Sequence, residues 1–257
     1  MHSKTIAAFL LLSSFSCKNS HSKSEMPILP VHTTINEPTY KSIVDIPVPN
    51  GFKRNNYPKI SFDYWLEQVS LKKDKTVYLF DGRKKQNQSA QFAVLDIPIG
   101  NKDLQQCADA VMRLRAMYLF DNKNFDSITF YDNDKMAYHF TAPYSNSHFN
   151  DYLQKVFGMC GTASLAKQLH KIYYKNIQPG DVLIRGGFPG HAVIVMDMIE
   201  NEKGEKKYML AQSYMPAQDI HVLINPVDAT TAWYDLNDEH IIETPEYRFY
   251  NNEWMTW

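Results

Sequence analysis

The 257-residue chain lacks an excess of charge of either sign. Its 27 Lys and Arg residues are balanced by 28 Asp and Glu residues, and the chain contains no long basic run and no acidic tail. A protein that binds nucleic acid needs clustered positive charge to neutralise the phosphate backbone. The charge pattern therefore argues against a nucleic-acid partner.

Cysteine is scarce as well, with three residues in the whole chain. Cysteine, histidine and acidic residues nowhere recur at the spacing that metal sites require. The glycine-rich stretch 186–190 (GGFPG) lacks the lysine and the spacing of a phosphate-binding loop. The sequence therefore predicts neither a metal site nor a cofactor.

Long hydrophobic runs are missing too. The apolar run at residues 6–12 (IAAFLLL) has seven residues, whereas a transmembrane helix needs about 20. His2 and Lys4 precede this run, and small residues lead from it towards Cys17. This layout is typical of a cleaved secretion signal over residues 1–16.

The end of this signal, SSFSC, resembles a bacterial lipobox. The resemblance implies cleavage before Cys17 and acylation of its thiol. A lipid would then anchor the chain to a membrane of the bacterial cell envelope, facing the periplasm. The alternative is a plain signal peptide with a coincidental cysteine. Residues 17–27 are polar and aperiodic, which predicts a flexible tether.

Residues 28–257 show neither an internal repeat nor a linker, so we expect one α+β domain with an antiparallel sheet and packed helices. Hydrophobic periodicity predicts helices over 60–71, 102–120, 149–157 and 163–173. Strands are predicted over 128–131, 136–141, 182–185, 191–199, 208–214 and 220–224, and a hairpin over 76–99. Asp103 followed by Gln106 predicts a capping box at the second helix.

The most informative segment is PGDVLIRGGFPGHAVIV, residues 179–195. Here Gly190 precedes His191, which opens an otherwise apolar strand. Glycines allow close approach of the backbone and leave the imidazole accessible. A histidine in this position is a candidate general base near neutral pH. The alternative is a histidine that is merely hydrogen-bonded at the edge of the strand.

This segment resembles the histidine block of papain-like cell-wall hydrolases, the NlpC-like and CHAP groups. The resemblance implies a papain-like core, with Asp181 leading one strand and His191 as the base. It further implies that Gln212, in LAQSY, orients the imidazole as the third member of a triad. A strand pairing centred on residues 203–204 places Gln212 on the face of His191 but offset along it, so contact requires twist or a bulge. Otherwise Gln212 is an ordinary polar residue of a strand.

A cysteine nucleophile is best placed at a helix N-terminus, where the dipole lowers the thiol pKa and N–H groups bind an oxyanion. Cys107 and Cys160 both satisfy this condition, and we favour Cys107 slightly. Its context, QQCADAVMRL, resembles the Gln-Cys opening of the CHAP nucleophile helix, which implies an oxyanion role for Gln106. Alternatively both cysteines are buried core residues, or they form a disulfide with each other.

Arg115 lies near the apolar face of the Cys107 helix. It is a candidate for bidentate binding of a substrate carboxylate. Gly190, in the glycine-rich loop directly before His191, is likewise a candidate for contact with the substrate or its oxyanion, since glycine lets the backbone approach closely. For Arg115 the alternative is an internal ion pair.

Over the mature chain, LFDGR, KDLQQCADAVMRLRA, GTASL, GGFPGHAVIV and LAQSYMPAQ resemble an uncharacterised family of bacterial lipoproteins, domain of unknown function 4846. Two functions follow as expectations. One is a cysteine amidohydrolase or peptidase that cleaves amide bonds of cell-envelope peptide. The other is a non-catalytic envelope lipoprotein whose groove around GGFPG binds peptide, glycan or a protein partner.

Overall fold

A nine-stranded antiparallel sheet organises the protein, whose computed structural model describes residues 40–257. The helices are α1 (Phe62–Glu67), α2 (Cys107–Asp121), α3 (Asn146–Met159) and α4 (Thr162–Gln168). The strands are β1 (Phe52–Arg54), β2 (Gln91–Val94), β3 (Thr129–Tyr131), β4 (Ala137–His139), β5 (His170–Lys171), β6 (Val182–Arg185), β7 (His191–Asn201), β8 (Lys206–Gln212), β9 (His221–Leu223), β10 (Trp233–Asp235), β11 (Ile241–Glu243), β12 (Arg248–Tyr250) and β13 (Trp254–Thr256).

The strands of the large sheet follow the order β2-β9-β8-β7-β6-β13-β5, with β1 paired to β7 and β10 paired to β8. The pairs β3–β4 and β11–β12 form two separate hairpins. The predicted α+β class, with one domain built on an antiparallel sheet, is confirmed for residues 40–257. The predicted signal peptide, Cys17 and the tether lie outside the described residues.

Strand β7 lies at the centre of the sheet and is covered on both faces. Ala192 and Ile194 pack with the core side chains of α1 and α2. Val193 and Val195 point to the opposite face, where Phe249 and other C-terminal residues cover them. Because both faces are buried, the sequence of this strand is a continuous apolar run rather than an alternation of apolar and polar residues.

The hairpin predicted over residues 76–99 is wrong. Strand β2 pairs with β9 instead, which lies more than 120 residues further along the chain. Residues 78 and 79 form isolated bridges rather than a regular strand, and the N–H of Phe80 donates to the carbonyl of Ala217 at 2.9 Å. The local turn at residues 81–82 is present and joins Tyr78 to Lys84, but the second predicted strand takes its partner from β9.

All four predicted helices have different ends: α1 spans 62–67 where 60–71 was predicted, and α3 spans 146–159 where 149–157 was predicted. The helix expected over 163–173 ends at Gln168, because residues 170–171 pair with β13. The helix expected from residue 102 begins at Cys107. Asp103 does not cap it but accepts the N–H of Ala217 at 2.6 Å. Among residues 40–257, no helix combines the length and the apolar character needed to cross a membrane.

Candidate functional site

His191 is the first residue of β7, and its imidazole contacts the side chain of Gln212 at the end of β8. His191 Nε2 lies 2.8 Å from Gln212 Oε1. Both side chains are buried, with 1% of His191 exposed. The oxygen accepts, so Nε2 carries the proton and the lone pair remains on Nδ1. That Nδ1 is buried and has no hydrogen-bond partner among residues 40–257.

A β-bulge brings these two residues together. Near the turn, Glu200 pairs with Lys206, but beyond a register shift at residues 195–197 Ile194 pairs with Ala211. One step further, Gln212 faces Val193, two residues from His191 and on the same face. A regular pairing centred on residues 203–204 would place Gln212 opposite Val195. The bulge and the actual turn register therefore halve the predicted offset.

Three further side chains, those of Glu246, Lys85 and His221, form a polar network with the amide nitrogen of Gln212. Gln212 Nε2 donates to Glu246 Oε2 at 2.7 Å, which directs the amide oxygen towards His191. Glu246 also pairs with the buried ammonium of Lys85. Lys85 Nζ lies 3.4 Å from His221 Nε2. Glu246 and Lys85 were missed by the sequence reasoning, since only folding brings them beside β8.

Cys107 is the first helical residue of α2. Its side chain reaches the beginning of β7, where the N–H of Ala192 hydrogen-bonds towards the sulfur. The sulfur therefore lies beside the residue that follows His191. Burial raises the pKa of the Cys107 thiol to about 11, and the N–H groups of Ala108 and Ala192 oppose this shift. Burial likewise lowers the pKa of His191 to about 4. At neutral pH the site therefore contains a neutral thiol and a neutral imidazole.

Aromatic rings enclose the imidazole. The ring centroids of Tyr214 and Tyr247 lie 4.8 and 4.9 Å from that of His191, and Phe249 lies at 5.7 Å. Cys107 is 6% exposed. These three rings form an aromatic cover over the imidazole, and a substrate reaches the buried sulfur only if neighbouring residues move.

Cys160 lies at the C-terminal end of α3 and is 9% exposed. Burial raises the pKa of its thiol to about 12, and negative charge on Asp132 adds to that shift. Both Cys107 and Cys160 are free thiols, so the alternative of a disulfide is not formed. Cys107 differs from Cys160 in that its sulfur lies against the N–H of Ala192, the residue that follows His191.

The other candidate residues lie around α2 and β7 in structural roles. Gln106 Nε2 donates to Asp103 at 3.2 Å. The Arg115 guanidinium lies over aromatic rings, 5.1 Å from the centroid of Phe62 and 5.3 Å from that of Trp257. Arg115 is eight residues from Cys107, or about 12 Å along the helix. It therefore packs away from the sulfur, and the predicted internal ion pair is absent from the described residues.

Gly190 and Asp181 shape the strands that carry the site. A Cβ on Gly190 would meet Thr162 Oγ1 at 2.3 Å and the carbonyl oxygens of Arg185 and Gly187 at 2.7 Å. Only glycine fits between α4 and the end of β6. Asp181 accepts the N–H of Gln178 at 2.8 Å and thereby closes the turn before β6.

The family described as Domain of unknown function (4846) matches residues 44–146 and 132–256, which together run from near the start of the described region to its end. No curated protein and no solved structure matches the chain. Within residues 40–257, no group of three or more His, Cys, Asp or Glu side chains is placed to hold a metal ion.

Proposed function

We propose that this chain, which belongs to the family described as Domain of unknown function (4846), hydrolyses amide bonds with Cys107 as nucleophile. In this proposal His191 is the base and Gln212 orients it. One observation carries it: the sulfur at the start of α2 lies against the N–H of Ala192, the residue that follows His191, and the Nδ1 of His191 is unpaired.

The chemistry follows from these positions. Cys107 Sγ attacks the carbonyl carbon while His191 Nδ1 takes the thiol proton, and the N–H groups at the start of α2 hold the oxyanion. The tetrahedral intermediate collapses by breaking the C–N bond, and the imidazolium returns its proton to the amine that leaves. Water, deprotonated by His191, then cleaves the thioester and releases the acid and the thiol.

In the resting state the Cys107 thiol and the His191 imidazole are both neutral. This supports a mechanism in which His191 acts as a general base, rather than one that begins from a preformed thiolate. An imidazole with its pKa lowered to about 4 keeps its lone pair at neutral pH. Proton transfer from sulfur then occurs only as the carbon–sulfur bond forms. The aromatic cover excludes water, which strengthens the attraction between the oxyanion and the helix N–H groups.

We further propose a papain-like core and a substrate in cell-envelope peptide. Support for the core is the order of nucleophile helix, histidine strand and returning strand, with antiparallel pairing between β7 and β8. Two apolar side chains close to the site residues in sequence are exposed. Phe188, three residues before His191, is 86% exposed, and Met215, three residues after Gln212, is 47% exposed. Such side chains suit contact with a peptide. The lipid-anchored location rests on the signal at residues 1–17.

A second function, a non-catalytic envelope lipoprotein that binds peptide, glycan or a protein partner, is favoured by a different observation. Both thiols are buried and both have a raised pKa. In a protein of this fold without catalytic activity, His191, Gln212 and the aromatic rings around the imidazole would remain as part of the packed core.

Thiol alkylation distinguishes the two functions, and Cys160 serves as an internal control. We expect iodoacetamide at pH 7 to modify Cys107 at least about tenfold faster than Cys160, because His191 removes the proton during attack. Mass spectrometry of the two cysteine peptides measures both rates in one sample. The substitution His191→Ala is expected to remove the advantage of Cys107 and to leave the rate at Cys160 unchanged.

The variant Gln212→Ala should reduce the Cys107 rate by a smaller factor than His191→Ala, since it disorients the base without removing it. Amine release from isolated cell-wall peptides, compared between wild type and Cys107→Ser, then tests turnover. Equal alkylation of the two cysteines in the wild type would leave the binding function as the one supported.

A further inference from the structure

A cavity of about 510 Å³ lies between α2, α3 and the loop at residues 98–104. It is separate from the imidazole, since none of Cys107, His191 and Gln212 lines it. Its walls are mostly apolar, and include Leu104, Met117, Phe149, Leu153 and Phe157. Its volume is in the range that holds a small organic ligand.

Arg113 is the cation in this apolar wall. Its Nη1 donates to the carbonyl oxygen of Pro98 at 2.7 Å and to the side-chain oxygen of Gln105. Both acceptors are neutral. Its Nε is buried without a hydrogen-bond partner, and Nη2 donates no hydrogen bond to any group of residues 40–257. Nε and Nη2 form one of the two edges through which a guanidinium binds a carboxylate in bidentate fashion, and the other edge includes the occupied Nη1.

The charge of Arg113 is not balanced inside the protein. Among residues 40–257, no carboxylate forms an ion pair with it, and burial alone lowers the pKa of its guanidinium to about 10. It is therefore cationic at neutral pH. The acidic side chain in the same wall, Asp121, is eight residues further along α2, or about 12 Å. Asp121 accepts the indole N–H of Trp65 at 2.8 Å. Lys102 adds a second cation to the wall near Leu104.

We propose that this cavity binds a small monocarboxylate with an apolar tail. The carboxylate pairs with the free edge of Arg113, and the tail lies among the side chains of Met117, Phe149 and Phe157. Arg113 is partly buried, and a partly buried cation without a counter-charge loses hydration, a cost that a carboxylate from the ligand offsets. The same chemistry belongs to a fatty acid and to the C-terminus of an apolar peptide. Binding does not depend on the proposed amide hydrolysis.

Calorimetry with two pairs of probes tests the proposal on the full chain. Dodecanoate is compared with dodecanol, and N-acetyl-Leu-Leu with its C-terminal amide. We expect the acid of at least one pair to bind about tenfold or more tighter than its uncharged partner, since hydrogen bonds to a charged group are the strong ones. A preference for dodecanoate indicates a lipid-derived ligand, and a preference for the dipeptide indicates a peptide C-terminus.

Three variants locate the site. Arg113→Gln should lose about tenfold or more in affinity for the acid. Arg248→Gln removes the same charge at an exposed position outside the cavity and should bind like the wild type. Asn150→Trp blocks the cavity wall from an exposed position while Arg113 stays in place, and should also weaken binding. It keeps the test informative if Arg113→Gln fails to fold by circular dichroism.

The proposal is overturned if neither acid binds, or if the uncharged probes bind as well as the acids. It is equally overturned if Asn150→Trp binds like the wild type, or if Arg248→Gln weakens binding as much as Arg113→Gln. Thiol alkylation at Cys107 is independent of each of these outcomes, so failure here leaves the proposed hydrolysis standing.

Discussion

At the scale of single residues, Gln212 fixes which nitrogen of His191 carries the proton. Its amide donates to Glu246 and accepts from His191, so the two ends of one side chain define the tautomer of the imidazole. Lys85 pairs with Glu246 and keeps its carboxylate in place. The orientation of the base thus depends on residues that are far from it in sequence.

Gly190 provides a residue-scale prediction. Replacing it with alanine places a Cβ 2.7 Å from two backbone carbonyl oxygens, Arg185 O and Gly187 O, which cannot rotate away. We expect Gly190→Ala to reduce the free energy of unfolding by about 1–3 kcal/mol, the usual range for overpacking. Urea denaturation followed by circular dichroism measures the change.

Gly158→Ala is the matched control. Gly158 lies in α3, and a Cβ there meets no atom within 4 Å. Alanine is the better helix former, so this variant should gain about 0.5–1 kcal/mol. If Gly190→Ala were as stable as the wild type, the close packing of the loop against α4 would be contradicted.

At the scale of secondary structure, the N-terminus of α2 combines a thiol with an unusual cap. Asp109 accepts the N–H of Gln106 at 2.9 Å, while its other oxygen is buried without a partner in the described region. Burial raises the pKa of Asp109 well above its usual value. The helix that presents Cys107 is therefore capped by a carboxyl group that resists ionisation.

This cap has a pH dependence of defined sign. Above pH 3.8, the usual pKa of Asp, the unfolded chain releases the Asp109 proton while the folded chain keeps it. The wild type should therefore lose stability as pH rises from about 4 towards the folded-state pKa, by up to about 1.4 kcal/mol per pH unit. Asp109→Asn keeps an acceptor oxygen and has no proton to lose.

We expect the free energy of unfolding of Asp109→Asn to exceed that of the wild type by an amount that grows with pH. Denaturation in urea between pH 4 and pH 8 measures this difference. Asp109→Ala also loses the acceptor, and should be about 1 kcal/mol less stable than Asp109→Asn at each pH. A difference between wild type and Asp109→Asn that stays constant with pH would contradict the raised pKa.

At the scale of the whole molecule, the sheet separates two kinds of packing. Helices cover one face of β7, and the C-terminal strands cover the other. The sulfur of Cys107 comes from the helical side, whereas His191 points with Val193 to the other. Both residues belong to the region around the start of β7, since the sulfur lies against the N–H of Ala192, the residue that follows His191.

The proposed lipid anchor belongs to the whole chain. In a bacterial host that exports and acylates lipoproteins, we expect the wild type in the membrane fraction and Cys17→Ala in the soluble fraction. Cys160→Ser is the matched control and should stay with the membrane. Detergent extraction and mass spectrometry of the N-terminal peptide provide the measurements. Membrane association of Cys17→Ala equal to that of the wild type would refute acylation at this cysteine.

Local sequence was sufficient to predict much of the central sheet. The ends of β6 agree with the prediction, and β7 begins at His191 as expected. These strands are short apolar runs bounded by glycine and turn residues, so their limits depend on neighbours in the chain. The pairing of His191 with Gln212 was also predicted from the sequence, although that prediction left open whether the two side chains are in contact.

Tertiary structure decided the rest. The pairing of β2 with β9, the bulge within β7 and the approach of Glu246 to Gln212 all join residues that are distant in the chain or depend on the register between strands. Only the tertiary structure distinguished the surroundings of Cys107 from those of Cys160, although both cysteines lie at helix ends. Periodicity along the chain reports which side chains share a face, but contact across strands is determined only when the whole core packs.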